Sequence, residues 1–473
     1  MPVSLLFKQP GIALRSLKLT LYKGRIDAAP NELMDALNKS LPVDIRFFPY
    51  DINTNKVWAA ELTRIGIFTD AELKQIHDTL DIMLKRYESG EFDTLPDDED
   101  IHTLTERLLT ETLGDIGARI HTGRSRNDQV ACDLFQYLKN TLAELKGLLF
   151  KLINTIADLA DLHSDTLMAG TTHMQPAQPI TLGHFLLSLG FALKRDAGRI
   201  DDALNRLDRS PLGAGAIAGC GFVIDRHKIA KELGFSKPSD NSIDTISDRD
   251  VAQEAAFVCS TALTHLSRYA EQFIIWSNPA FGYVKWNAQW STGSSMMPQK
   301  RNPDAMELVR AKAARAMGDI VTLMAMTKGV PLSYAKDLQE DKEAVFDALD
   351  TAALTIKVFT KALSTASFNK KRMLAVLTSD MLATDLADAL VEQGVPFRTA
   401  HGRTAKFVTA LEEQNRDLLS ASQKELIKEF PEFADNPINL DYKASIERRR
   451  SFGGTAPSSV KEQIKNLKNW LNQ

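Results

Sequence analysis

Apolar residues recur at steps of three and four along the central part of the chain, a spacing that predicts long helices packed against other helices. The clearest run lies between Leu134 and Leu159 and contains no proline. Its apolar positions are Leu134, Leu138, Leu142, Leu145, Leu149, Leu152, Ile156 and Leu159. A helix through this run is longer than an ordinary domain helix, which predicts an extended bundle.

Four further proline-free stretches have comparable length, so the pattern predicts five long helices. The other four are Thr181 to Arg209, Asp248 to Ser277, Asp304 to Thr327 and Asp337 to Leu363. Breaks containing glycine or proline separate them, and the candidate chemical motifs lie in or beside these breaks: Ala169 to Pro179, Ser210 to Asp225, Asn278 to Pro303, and Gly329 to Ala335. Strand-like alternation is scarce, and no βαβ run is evident.

Length and charge narrow the function classes. At 473 residues the chain exceeds one typical domain, so two or three units are expected. A formal charge of -4 and a pI near 6.2 give no general attraction for nucleic acid or an anionic membrane, so an anion site has to be built locally. Three cysteines, an odd number, indicate neither a disulfide framework nor a zinc site and suit reduced thiols.

The expected location is the cytoplasm, because no apolar run approaches a membrane span and no signal-peptide pattern is evident. The segment from Met1 to Ile26 carries five basic and no acidic residues. Pro2, Pro10 and Gly11 interrupt the amphipathic helix that a transit peptide would use, which favours an irregular leader.

The segment from Gly293 to Asp304, GSSMMPQKRNPD, has the most informative composition in the chain. Two serine hydroxyls, two basic side chains and the Asn302 amide fall within twelve residues, and Pro303 suits the first turn of a following helix. This mixture predicts a loop that binds a carboxylate; the alternative is a solvated basic surface loop.

This loop resembles the GSSxMPxKxN signature of the fumarase/aspartase superfamily, whose enzymes eliminate fumarate from succinyl compounds. Every fixed position is present. Gln299 and the continuation to Pro303 and Asp304 resemble the argininosuccinate lyase/δ-crystallin branch of that superfamily.

A second motif, TTHMQPAQP, runs from Thr171 to Pro179. His173 suits acid-base chemistry near neutral pH, although spacing alone favours a structural role for a single histidine. The superfamily carries a similar T-H-x-Q-x-A-Q-P element, whose histidine is catalytic and pairs with a glutamate after the GSS loop. The resemblance therefore implies His173 and Glu307, although Pro176 replaces a usual arginine.

A third motif, HTGRSRNDQ, runs from His121 to Gln129. Its two arginines suit carboxylate binding, but they also suit a salt-bridged helix start capped by Ser125 or Asn127. The string is characteristic of argininosuccinate lyases, which implies Arg126 and Asn127 as substrate contacts. Upstream, EDIHTLTE resembles another family element and implies His102 as a pocket residue; it is otherwise an ordinary helix-end histidine.

A fourth motif, SYAKDLQEDKE, begins at Ser333. A charged helix start is usually a solvated face with intrahelical ion pairs. The string also resembles the Y-x-K-D-x-Q-E-D-K pattern of argininosuccinate lyases, which implies Tyr334, Gln339 and Lys342 as substrate contacts and separates this branch from fumarases and adenylosuccinate lyases.

The resemblance extends from about Asp100 to Val460 and weakens before that. Ser40, Asp44 and Asp51 fit the early family pattern, which implies Ser40 as a substrate contact. In contrast, YKGRI stands where W-G-G-R-F is usual, and Thr54 and Asn55 stand where Gly-Ser is usual.

One further string, PLGAGAIAG from Pro211 to Gly219, superficially resembles a dinucleotide fingerprint. It lacks the third-glycine spacing and follows a predicted helix, so close backbone packing is the favoured interpretation.

The chemistry explains why such residues have to meet. Removing a proton beside a carboxylate leaves a dianionic aci-carboxylate, which needs preorganised cations and donors. Lys300, Asn302 and loop amides supply them. In our hypothesis Ser294 is the base, and His173, polarised by Glu307, serves the leaving group; the reverse allocation stays open. Thr172 and Asn302 complete the implied substrate contacts, and no metal or organic cofactor is required.

The resemblance implies an all-α subunit of three domains, with an N-terminal domain and leader at 1–124, a long-helix bundle at 125–373 and a small helical domain at 374–473. It also implies a homotetramer in which each active site takes segments from three subunits. Two alternatives remain: a lyase for a different N-succinyl amine, and a non-enzymatic crystallin-like paralogue.

Overall fold

Short helices precede the long ones in the computed structural model, which describes residues 31–92 and 94–472. The predicted leader from Met1 to Ile26, with its YKGRI string, lies outside the described residues. The first six helices are α1 (Glu32–Asn38), α2 (Leu41–Asp44), α3 (Phe48–Arg64), α4 (Asp70–Ser89), α5 (Ile101–Leu113) and α6 (Asp115–Ala118).

The five predicted long helices are confirmed in the middle of the described chain. In order, this part contains α7 (Arg126–Leu162), α8 (Leu182–Leu207), the short α9 (Arg226–Glu232) and α10 (Ser242–Ser247), then α11 (Asp250–Ser277), α12 (Asp304–Lys328) and α13 (Asp341–Ser364). The apolar positions that predicted α7 are buried from Leu134 to Ile156, and Leu159 is partly buried, as a helix packed into a bundle requires.

Six short helices follow: α14 (Lys370–Ala375), α15 (Ala383–Glu392), α16 (Phe397–Glu412), α17 (Gln423–Glu429), α18 (Tyr442–Arg448) and α19 (Pro457–Leu471). Leu386, Leu390, Phe430 and Phe433 form part of a core shared by several of these elements. In the described residues no helix is long and apolar enough to cross a membrane.

Contacts divide the described chain into two compact units. Unit 1 contains the described residues up to Glu144, with Ile200–Val258 and Met317–Asp350; unit 2 contains Leu145–Arg199, Cys259–Ala316 and the described residues from Thr351 onward. Every boundary falls inside one of the five long helices. The division into 1–124, 125–373 and 374–473 therefore stays a prediction.

A β-hairpin lies in unit 2, where the sequence pattern indicated only a break between helices. Strand β1 (Leu167–Thr172) pairs antiparallel with β2 (Gln175–Thr181), with an irregularity between Gly170 and Thr171. His173 and Met174 form the turn with φ of 53° and 62°, the positive values of the tight turn that matches strand twist. The remaining strands have two residues each: β3 (Arg209–Ser210), β4 (Lys237–Pro238), β5 (Val284–Lys285) and β6 (Ser367–Phe368).

The PLGAGAIAG loop is used for packing, as expected. The backbone N–H groups of Gly213 and Gly215 both donate to Asp128 Oδ2, each at 2.9 Å. Both glycines have positive φ, 88° and 64°, which other residues adopt only with strain. Burial raises the pKa of the Asp128 carboxyl to about 6, although these amides and Arg124 oppose the shift. The loop amides are therefore occupied by a side chain of the protein itself.

Replacing Asp128 with alanine should lower the free energy of unfolding by about 2–4 kcal/mol, because two buried amides lose their acceptor. Differential scanning calorimetry would measure the loss as a lower Tm. Asp161→Ala, a change at an exposed position, is the matched control and should leave Tm unchanged. Equal Tm values for the two variants would contradict this account.

Candidate active site

The starts of α5 and α7 hold the first group of predicted site residues. Asp100 caps α5 by accepting from Thr103 N–H at 2.8 Å. Arg126, the first residue of α7, donates from Nη1 to Asp100 Oδ2 at 2.5 Å and to Thr103 Oγ1 at 3.0 Å. Burial alone raises the pKa of Asp100, but Arg126, His102 and the Thr103 donors together lower it to about 2. Asp100 is therefore an anion that holds Arg126 in place.

The HTGRSRNDQ motif forms the capped, salt-bridged start of α7, whereas substrate binding by Arg126 stays a prediction. Ser125 Oγ accepts from Asn127 N–H at 3.2 Å, and Asp128 Oδ1 accepts from Ser125 N–H at 3.0 Å, so the motif is a capped helix start. It also places Arg126 beside an anion. The Asn127 side chain donates to Ala216 O at 3.4 Å.

Ser40 lies in the same neighbourhood. Its hydroxyl donates to Asp44 Oδ2 at 2.7 Å, and its backbone N–H donates to Glu99 O at 2.9 Å. Burial and the Asp100 charge raise the pKa of Asp44 to about 6, whereas Ser40 and the charges of His102 and Lys342 act in the opposite direction. Three predicted substrate contacts, Ser40, His102 and Lys342, therefore all lower the pKa of Asp44.

The SYAKDLQEDKE motif contributes a buried cation. Lys342 is 2% exposed, and its Nζ lies 3.4 Å from both Gln339 O and Asp341 Oδ1. Asp341, also buried, forms an ion pair with buried Arg249. The solvated-face interpretation therefore fails for Asp341 and Lys342, because both side chains are buried. Charged residues are seldom fully buried unless they are paired.

Tyr334 completes the unit 1 group. Burial raises its pKa to about 12, and the charges that act on it are those of Arg249, Asp341, Asp100 and Arg126. Unit 1 therefore brings the following predicted substrate contacts into one charged neighbourhood: Ser40, His102, Arg126, Tyr334 and Lys342. Gln339 lies beside Lys342.

The GSSMMPQKRN loop, in unit 2, is closed at its base. Asn302 N–H donates to Thr292 O at 2.9 Å, and the Asn302 side chain lies 3.4 Å from both Gly293 O and Thr292 Oγ1. Asp304 Oδ2 accepts from Thr292 N–H and from its hydroxyl, both at 2.8 Å. These bonds tie the two ends of the loop to the start of α12, which begins immediately after Pro303.

Ser294 accepts hydrogen bonds from the backbone of its own loop. The backbone N–H groups of Met296 and Met297 donate to its Oγ at 3.2 and 3.0 Å. Two such donors stabilise negative charge on that oxygen. Ser294 is partly buried, whereas Ser295, Lys300 and Arg301 are exposed.

His173 and Thr172 lie at the exposed tip of the hairpin, and Glu307 is exposed in the first turn of α12. Within the described part of the protein, no hydrogen bond joins His173 to Glu307. The positive φ of His173 is an uncommon conformation for a residue with a side chain, and such residues cluster at functional sites.

Comparison with known proteins identifies the family of this chain. A family model described as Lyase matches residues 24–318, and one described as argininosuccinate lyase C-terminal matches residues 380–447. A protein named argininosuccinate lyase from Caldanaerobacter subterraneus subsp. tengcongensis is 42% identical over 438 residues, covering 92% of this chain and 99% of its own. One from Chelativorans sp. is 43% identical and covers 96% of each chain. The chain belongs to the argininosuccinate lyase family.

Solved structures share the fold of this family member. An EDDS lyase variant with bound fumarate has a TM-score of 0.79 and 29% identity, covering 91% of this chain and 87% of that one. A class II fumarase from Schistosoma mansoni has a TM-score of 0.71 at 17% identity, with 86% and 94% covered. The all-α lyase fold predicted from the sequence is confirmed.

Sequence reasoning missed the acidic partners of the site in this lyase. Asp100 and Asp341 appeared only as letters of family strings, yet they pair with Arg126 and Arg249. The available signal was an acidic residue at a predicted helix start beside a basic motif. A second missed group, built around Asp51, lies beneath the same helix starts.

Proposed function

We propose that this protein cleaves argininosuccinate to arginine and fumarate by a cofactor-independent β-elimination. The observation that carries the proposal is the complete site-residue set in a chain 42% identical to a protein of that name over 92% of its length. The charged neighbourhood of Arg126, Tyr334 and Lys342 supports it further, because the substrate carries several carboxylates. Tyr334 and Lys342 also match the string typical of this branch, and Arg126 belongs to the HTGRSRNDQ motif.

Proton removal is assigned to Ser294. The two amides that donate to its Oγ stabilise the alkoxide form. Proton loss beside a carboxylate creates a dianionic aci-carboxylate, which Lys300 and Asn302 stabilise by charge and hydrogen bonding. No step in this sequence requires a metal or an organic cofactor.

Protonation of the leaving guanidine is assigned to His173, with Glu307 as its partner. His173 lies in the tight turn of the hairpin, at an exposed position. The reverse allocation, with His173 as base and Ser294 as donor, predicts a different response to mutation.

Substrate contacts are assigned to two sets of residues. The first set lies in unit 1 and contains Ser40, His102, Arg126, Asn127, Tyr334, Gln339 and Lys342. The second set, Thr172 and Asn302, lies in unit 2, which also contains the assigned catalytic residues Ser294, His173, Glu307 and Lys300. Arg126 offers a planar, bidentate donor for a carboxylate and Lys342 a compact charge.

A homotetramer with shared active sites is supported by exposed apolar residues on the long helices. Met317, Val321 and Met324 recur at helical spacing on α12 and are 44%, 65% and 56% exposed. Leu354 on α13 is 60% exposed. Such a face on a bundle helix suits burial against other subunits.

Mixing two inactive variants tests the shared site. Ser294→Ala and Arg126→Ala should each be inactive, yet co-refolded mixtures should regain roughly a quarter of the native activity, because random assembly unites native Ser294 and Arg126 segments at some sites. Fumarate release from mixed and separate samples is the measurement. Mixtures that stay inactive while still forming tetramers would show that each site uses a single subunit.

Fumarate release, followed by ultraviolet absorbance, tests the function itself. Argininosuccinate, adenylosuccinate, aspartate and malate serve as separate substrates for the purified protein. Release from argininosuccinate alone supports the proposal. Release from another of these compounds would show that the protein acts on a different substrate of the superfamily. No release from any of them would favour an untested succinyl amine or an inactive paralogue.

A lyase for a different N-succinyl amine is the second candidate. The similarity to an EDDS lyase with bound fumarate shows that this fold also serves a lyase of another name. The site set around Tyr334, Gln339 and Lys342 favours argininosuccinate.

A role in arginine biosynthesis in the cytoplasm is part of the same proposal. Arginine is a product of the proposed reaction. Cys132, Cys220 and Cys259 are free thiols, a state that suits a reducing compartment. Measuring arginine dependence in cells that lack this protein would test the role.

A further inference from the structure

A buried polar network lies beneath the α5 and α7 starts in unit 1. Asp51 on α3 and Asp133 on α7 are fully buried, and His102 on α5 is 3% exposed. His102 Nδ1 lies 3.2 Å from Asp51 Oδ1 and 3.6 Å from Asp133 Oδ2. Their ligand-type atoms lie within 4.8 Å of one another. Two carboxyl groups and an imidazole out of contact with water need a specific charge arrangement.

Asp51 connects the first turns of two helices. Its Oδ1 accepts from Gln129 Nε2 at 2.6 Å, in the first turn of α7, and also faces His102 Nδ1, in the first turn of α5. These turns carry Asp100 and Arg126. One carboxylate on α3 therefore fixes the relative position of two helix starts that present predicted substrate contacts.

The two carboxyl groups are not equivalent. Asp51 Oδ1 faces the His102 and Gln129 donors, whereas Asp133 accepts from the Thr54 hydroxyl at 2.7 Å; the charge of buried Arg124 acts on both. Burial raises the pKa of Asp51, but the hydrogen bond from His102 and the charges of His102 and Arg124 lower it below its ordinary value. Burial and the neighbouring Asp51 charge raise the pKa of Asp133 well above its usual range.

One oxygen on each carboxyl group lacks a donor. Asp51 Oδ2 and Asp133 Oδ2 are both inaccessible to water and without a hydrogen-bond partner among the described residues. A single proton between the two groups satisfies both oxygens, because a protonated carboxyl is a donor and a carboxylate an acceptor. A bound cation is the other arrangement that such a cluster permits, but the adjacent Arg124 already supplies a fixed positive charge.

We infer that Asp133 is protonated and donates a hydrogen bond to Asp51, which stays ionised. Asp51 is then a positioning residue that holds His102 and Gln129 against α3. It thereby positions Arg126 and Asn127 for substrate. This inference rests on the proposed function for the identity of the substrate. Thr54 and Asn55, which depart from the usual Gly-Ser, both take part: Thr54 donates to Asp133, and Asn55 accepts from Arg124 at 2.8 Å.

Two closely matched substitutions test the inference, because an asparagine amide imitates a protonated carboxyl but not a carboxylate. Asp133→Asn retains an acceptor for Thr54 and a donor for Asp51, so KM and kcat should stay within roughly twofold of the unmodified protein. Asp51→Asn removes the charge that orients His102 and Gln129. It should raise KM by about 10- to 100-fold while kcat at saturating substrate falls by less than about threefold, the pattern of misplaced binding residues.

Gln129→Ala provides an independent variant if Asp51→Asn does not fold. It removes the hydrogen bond from Gln129 on α7 to Asp51 without altering a charge. It should raise KM by about 10-fold. Thermal unfolding of each variant supplies a readout that needs no substrate: Asp133→Asn should keep Tm, whereas Asp51→Asn should lower it. Equal losses for the two asparagine variants, or a larger loss for Asp133→Asn, would overturn the inference.

Two further measurements separate this inference from its alternatives. Metal analysis of the purified protein should find less than one zinc or manganese ion per chain. A stoichiometric ion that is absent from Asp51→Asn would show that the cluster binds a metal and not a shared proton, which would overturn the inference. Fumarate release by the unmodified protein tests the proposed function separately. The variants are compared on whichever substrate it cleaves, and by Tm if it cleaves none.

Discussion

Replacing Ser294 with alanine should lower kcat by about 10²- to 10⁴-fold, the range expected on removal of a positioned proton-transfer group. Substrate binding should be retained, because the substrate contacts assigned in unit 1 are untouched. The reason lies in the loop, where the N–H groups of Met296 and Met297 both donate to Ser294 Oγ. Single-turnover fumarate release gives the rate, and calorimetric titration with argininosuccinate gives the affinity.

Ser295→Ala is the matched control for this experiment. Ser295 is adjacent in the chain but exposed, and no hydrogen bond to its side chain is seen in the described residues. It should keep kcat within roughly threefold of the unmodified protein. Near-normal turnover in Ser294→Ala would exclude Ser294 as the base. If Ser294→Ala shifts the alkaline limb of the pH dependence of kcat, and not the acidic limb, His173 is favoured as the base.

Replacing Lys300 with methionine should lower kcat by about 10²- to 10³-fold, because the aci-carboxylate develops negative charge that the ammonium group offsets mainly in the transition state. Methionine keeps the length and most of the apolar volume of lysine, so the loop should close as before. Steady-state fumarate release measures the effect.

Arg301→Met offers the same loss of charge one residue further along the loop. Arg301 is also exposed, and it has no assigned role, so kcat should change by less than about threefold. Similar losses in the two variants would indicate that only the net charge of the loop matters. A rise in KM without a fall in kcat would place Lys300 among the ground-state binding residues.

The five long helices followed from the sequence because apolar spacing and the absence of proline are local properties. The predicted ends of α8, α11, α12 and α13 differ from the observed ends by four residues or fewer. The hairpin around His173 was missed for an equally local reason. Thr171 to Pro179 contains two prolines and little alternation, so only the pairing of β1 with β2 makes it a sheet.

The candidate site divides in the same way. The GSS loop and the His173, Arg126 and Tyr334 motifs were recognisable because each is a contiguous string. The roles of the buried partners were not, since what Asp51, Asp133 and Arg249 do depends on residues that are distant in sequence. A charged string such as Asp341–Lys342 even suggested a solvated face, whereas both side chains are buried.

The helical framework, the family and the chemical groups could all be predicted from the amino-acid sequence, because periodicity and contiguous motifs are local properties of the chain. The fold was needed to show which acidic residue faces which cation, that His173 lies in a tight turn, and which donors surround each of the two buried carboxyl groups. Those properties depend on distances between residues far apart in sequence and on the exclusion of water, and neither is encoded in local spacing.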